Sequence, residues 1–114
     1  MPRAKFTIYH PKPFDPKIVD FKCINADALQ RLPAIFNRWL PDGEYRGDEY
    51  VALNPKRQDR NLGSFSVNTK SGVWCDFATG DSGADIISLV AFLLNIGQLE
   101  AARVIKVVVE AYRV

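Results

Sequence analysis

The sequence predicts an α+β domain in which a small antiparallel sheet of about three strands is flanked by N-terminal and C-terminal helices. Two observations carry this. Between residues 49 and 77, apolar and polar residues alternate in short segments separated by polar turns, as half-buried strands do. After residue 85 the alternation gives way to two segments of helical length, 86–94, apolar but for Ser88, and 98–112, separated by Asn95 and Gly97.

The first segment, residues 1–16, is expected to be an extended basic, Pro-rich arm. Residues 5–9 have the alternation of a short strand, with Phe6 and Ile8 on one side. Pro11, Pro13 and Pro16 then exclude regular structure, because each fixes φ and removes a backbone donor. His10, the single histidine, sits in this arm and is read as solvated. Residues 17–114 form one domain. Asn25 is the expected N-cap of a first short helix through Asp27, Leu29 and Arg31. Pro33 should end it and open a second helix, whose Ile35, Phe36 and Trp39 share a core face. The sequence Pro-Asp-Gly at 41–43 closes that helix, and 42–49 reads as an acidic turn.

Residues 49–53 are the expected first strand. Residues 64–68 and 73–77 form a hairpin across the turn 69–72. Phe65 and Val67 are core residues of the hairpin by alternation. Residues 80–83 make a turn into a helix from about Asp85, apolar nearly all round and so buried on several sides. Residues 98–112 read as a final helix with Val104, Val107, Val108 and Ala111 on one face. The β-branched run 107–109 keeps a strand open there.

Composition narrows the function. At 114 residues and 47% apolar, the chain can bury a modest core without disulfide staples. Cys23 and Cys75 are too few for a disulfide framework, and no basic segment followed by an apolar one begins the chain. The longest apolar run, 86–94, is too short to span a bilayer, so a cytoplasmic protein is expected. Net charge is only +2, but it is segregated. Residues 1–24 and 54–70 each carry +3, while 42–49 and 76–85 each carry −3. One face of the molecule can therefore be positive; evenly solvated charge is the alternative.

The motifs resemble a known family. Residues 50–53 (Tyr-Val-Ala-Leu), 64–68 (Ser-Phe-Ser-Val-Asn) and 72–74 (Gly-Val-Trp) match the zinc-binding domain of bacterial and phage DNA primases. So do Gly80, Asp85 and 87–90 (Ile-Ser-Leu-Val); the match covers roughly 45–95. The four metal-ligand positions of that family fall on Asn54, Arg57, Asp76 and Thr79, with one residue inserted between Gly80 and Asp85. None is a cysteine or histidine, and a structural zinc site needs four such ligands. Cys75 is one position out of place and should face the other side of its strand. Over residues 20–105 the chain is similar to metal-free relatives at the N-terminus of plasmid- and phage-type primase–helicases. The residues 54–57 (Asn-Pro-Lys-Arg), 63–68 and 74–81 carry this likeness.

The resemblance implies a zinc-ribbon-like sheet without zinc or any other cofactor. Where ligands once faced each other, an Arg57–Asp76 ion pair is expected, with Asn54 and Thr79 hydrogen-bonded nearby. Asp76, Thr79, Asp81 and Asp85 are an oxygen set for Mg²⁺ or Ca²⁺, but they lack the calcium-loop spacing; capping by Ser82 or Asp85 is the simpler use. No nucleophile, base or phosphate-binding loop has a recognised spacing, so no enzyme is expected.

The implied function is noncatalytic: a DNA-replication module that binds single-stranded template and supports priming by a mobile-element replication protein. The expected contacts are Lys56, Arg57, Arg60 and Lys70 to phosphates, in loops at one end of the sheet. Trp74 is open between core and base stacking, and Tyr50, Phe65 and Phe77 are further aromatic candidates. The alternative is a protein-interaction adaptor that recruits a primase, helicase, polymerase or single-strand-binding protein without touching DNA.

Overall fold

The computed structural model describes residues 19–56 and 62–111. The expectations for the arm 1–16, and for Arg57 and Arg60, lie outside the described residues. Within them the order is α1 (Phe21–Gln30), α2 (Leu32–Trp39), β1 (Glu44–Arg46), β2 (Glu49–Ala52), β3 (Phe65–Asn68), β4 (Trp74–Asp76), β5 (Ser82–Gly83), α3 (Ile86–Leu94) and α4 (Gln98–Ala111). The α+β class with helices on both sides of the strands in sequence is as expected.

The sheet is a five-stranded antiparallel meander, β1-β2-β3-β4-β5, larger than the three strands expected. The two additions are the edges. β1 pairs with β2 through a Gly47-Asp48 turn, with Tyr45 opposite Tyr50 and Gly47 at φ +61°. Its three residues are all exposed, so no alternation announces it. Gly-Asp between two polar segments was the available hairpin signal. β5 is two residues long, and Gly83 lies opposite Trp74. A Cβ on Gly83 would stand 2.3 Å from Ser88 Oγ and 2.4 Å from Trp74 Nε1, so only glycine fits this edge.

One face of the sheet carries the core. Tyr50, Val67 and Trp74 form one cross-strand row, and Ala52, Phe65 and Asp76 the next. All six are buried beneath the helices. Tyr50 closes the α2 end: its ring stacks on Phe36 at 3.9 Å and 4°, and its hydroxyl donates to Leu40 O at 2.7 Å and accepts from Gly43 N–H.

The helix ends correct one expectation. Asp20, not Asn25, caps α1, its carboxylate accepting from Cys23 N–H at 3.1 Å. Asn25 lies inside α1 and its Oδ1 accepts from Ile87 N–H at 2.9 Å, so it serves the first turn of α3 instead. Pro33 opens α2 as expected. Asp85 caps α3 in a reciprocal capping box with Ser88, and Asn95 ends it in the left-handed region at φ +57°. In α4 the helical alternative holds, but with a different face. Ala101, Ala102, Ile105 and Val109 are buried, whereas Val107 is 69% exposed. The run 107–109 alone does not tell which of three adjacent valines faces inward; packing against α1 and α3 does. No single helix among the described residues is long and apolar enough to cross a membrane; α3 and α4 are bent by 104° at their junction.

Candidate nucleic-acid interface

The strand order puts two connections at one end of the sheet: the chain leaving β2 through Asn54 to Lys56, which re-enters at Leu62, and the turn 77–81 between β4 and β5. Asn54 and Asp76 meet there. Asn54 Nδ2 donates to Asp76 Oδ2 at 2.8 Å, and both side chains are buried. Each also organises its own loop. Asn54 Oδ1 accepts from Lys56 N–H, and Asp76 Oδ1 from Ala78 N–H, both at 2.9 Å. Asp76 faces the core because Trp74 and Asp76 share a face of β4, leaving Cys75 on the other, as alternation requires.

Thr79 takes no side-chain part in this pair. Its hydroxyl donates to Asp81 Oδ2 at 2.8 Å, and its N–H donates to Asp76 O. Asp81 and Asp85 are thereby engaged in the turn and in the α3 cap, respectively. Among the described residues no three His, Cys, Asp or Glu side chains gather as a metal-binding group. Cys23 offers no activated thiol, since hydrogen bonding to Asp20 pushes its pKa up.

Lys56 sits at this end of the sheet. Its ammonium donates to Phe92 O at 2.7 Å and lies 4.4 Å from the Phe92 ring centroid. Phe92 O belongs to the last turn of α3, where it also accepts from Asn95 N–H at 3.3 Å and the helix dipole favours a cation. An ammonium has three donors, so the exposed head keeps capacity for a further acceptor.

Lys70 does not share this end. It lies in the 69–72 turn at the opposite end of β3, where Asn68 Oδ1 accepts from its N–H and from Ser71 N–H. That turn is tied to the acidic β1–β2 turn by Thr69 N–H donating to Asp48 O at 2.7 Å. Cations close in sequence are separated because β3 runs between them, at about 3.3 Å per residue.

Trp74 is 3% exposed, and its indole N–H donates to Ser88 Oγ at 2.9 Å. Its ring packs 4.8 Å from Phe92, with Phe65 at 6.0 Å. The ring is core, and no face of it is open to a base. Phe65 and Tyr50 are likewise buried. Phe77 is not: it is 74% exposed, on the outward face beyond Asp76. Alternation from Asp76 was the signal that separated it from Trp74, but without knowing which face of β4 the helices cover it could not be read.

Compared with known protein families and with curated proteins, the chain matches none. The likeness to primase zinc-binding domains therefore rests on the motif residues themselves.

Proposed function

We propose that the domain is a noncatalytic DNA-replication module, a metal-free counterpart of a primase zinc-binding domain that holds single-stranded template for a priming protein. The observation that carries the reading is the buried Asn54–Asp76 hydrogen bond. It joins two of the four former ligand positions and ties together the two loops a metal would have tied. A hydrogen bond to a charged group contributes about 1.5–3 kcal/mol net, against about 10–16 kcal/mol for a structural zinc. The remaining stability comes from α3 and α4, whose Leu89, Val90, Ala101 and Ile105 are fully buried.

In this reading the phosphates follow the sheet end that carries Lys56, with Arg57 and Arg60 as the neighbouring cations in sequence. Lys70, at the other end, is a separate contact or none. The test is a titration with labelled single-stranded oligo-dT at several salt concentrations. Three phosphate contacts predict a log–log salt slope of about −2, from roughly 0.7 per contact. Lys56→Ala should flatten the slope, and Lys70→Ala should leave it unchanged. A Lys70→Ala effect equal to that of Lys56→Ala would mean that the strand runs the length of the sheet.

Exposed Leu53, Val73 and Phe77 favour a second reading, a protein adaptor recruiting a replication enzyme. Absence of any binding at low salt, where screening is weakest, would select it.

A further inference from the structure

Phe77 combines high exposure with a braced backbone. Its N–H donates to Ser64 O at 2.7 Å, and the turn behind it closes through Gly80 N–H to Asp76 O at 2.7 Å and Asp76 N–H to Asp81 O at 2.8 Å. The carboxylate of Asp76, which organises this turn, is bonded to the loop that carries Lys56. Continuing the β2–β3 register by one residue places Leu53 and Ser64 in the same outward row as Phe77. The ring thus stands at the edge of a short outward-facing row, at the sheet end where Lys56 holds its ammonium. Asp81, fixed by Thr79 in the same turn, repels phosphate on its own side. Lys56 holds its ammonium against Phe92, on the helix-covered side, so a strand reaching both residues would wrap this end of the sheet, with phosphates toward Lys56 and a base toward Phe77.

We propose that Phe77 is the base-stacking residue of the domain, taking one unpaired base on its open face. This rests on the single-strand reading above. Stacking accepts every base because each has a π-face, so the contact adds affinity without sequence preference. It also differs from a phosphate contact in leaving the salt slope untouched.

The experiment is the oligo-dT titration at low salt with wild type, Phe77→Ala, Phe77→Leu and Phe77→Trp, with melting temperature measured for each. Loss of stacking should weaken Phe77→Ala and Phe77→Leu by roughly 5- to 150-fold, with unchanged salt slope, while Phe77→Trp keeps wild-type affinity or gains on it. All melting temperatures should stay close to wild type, since the ring packs little. Wild-type affinity in Phe77→Ala overturns the inference and leaves the single-strand reading standing. Full affinity in Phe77→Leu shows an apolar contact rather than stacking, and overturns it as well. A melting temperature that falls with affinity in Phe77→Ala makes the ring structural. If the wild-type protein binds no oligonucleotide, both readings fail and the ring passes to a protein partner.

Discussion

Asp76 is the residue on which the candidate site depends most. Its carboxylate has no solvent exposure, and it accepts from Asn54 Nδ2 and from Ala78 N–H. Removing one member of such a pair leaves the other buried without it, which costs more than the bond itself contributes. Asp76→Ala should lower unfolding free energy by about 2–4 kcal/mol in chemical denaturation, more than Thr79→Ala, whose hydroxyl is exposed. Equal effects at the two positions would show that the buried bond is not what ties the loops. Tyr50 sets a limit at the alkaline side. Burial pushes its pKa above the usual 10.0. A folded-state pKa above the unfolded one adds stability that is complete below the unfolded value and lost as pH rises through the folded value. Stability should therefore fall above about pH 10, and Tyr50→Phe should reduce that alkaline loss while costing stability at neutral pH, because Leu40 O and Gly43 N–H lose their partner. An alkaline limb unchanged in Tyr50→Phe would assign it to other groups.

The helices show how packing selects among equivalent residues of one element. In α4 Ile105 is fully buried, while Val107 is mostly exposed. Ile105→Ala should cost about 2–5 kcal/mol, and Val107→Ala should stay within about 0.5 kcal/mol of wild type. Comparable losses at both sites, read from denaturant midpoints at equal m-value, would mean that α4 is rotated in solution. In α3 one side chain links cap, sheet and helix: Ser88 N–H donates to Asp85 Oδ1, and its hydroxyl accepts from Trp74 Nε1. The contact accounts for two sequence features at once, a serine inside an apolar helix and a glycine at 83.

In the proposed reading, the buried Asn54–Asp76 pair stands where the resemblance would put a metal. Melting temperature in excess chelator should equal that in buffer, and metal analysis of the purified protein should find no stoichiometric zinc. A chelator-induced drop in melting temperature would overturn the assignment of Asn54 and Asp76 as a metal substitute. Charge is arranged at this scale too. The chain runs up β2, down β3 and up β4, so Asp48 and Lys70 lie at one end of the sheet and Lys56 and Asp81 at the other. A surface inferred from adjacent residue numbers alone therefore placed Lys70 beside Lys56, where the sheet sets them apart.

The sequence by itself determined the class, three of the five strands, and the ends of α2 and α3. Local chemistry dictates each of these: alternation for β2 to β4, Pro33 at a first turn, and Asp85 and Asn95 as caps. It also determined that Phe65 and Val67 form core and that Cys75 turns away from the face that carries Trp74 and Asp76. Tertiary structure alone decided the rest. β1 and β5 exist because a neighbouring strand supplies hydrogen-bond partners, which short polar segments do not announce. Asn25 accepts from Ile87 N–H in the first turn of α3 rather than capping its own helix, because α3 packs beside it. Trp74, at the start of β4, was the first candidate for stacking, and Phe77, in the turn just past that strand, a further one. Their different fates follow from which face of β4 the helices cover: Trp74 points under α3, and Phe77, one residue past Asp76, points to water.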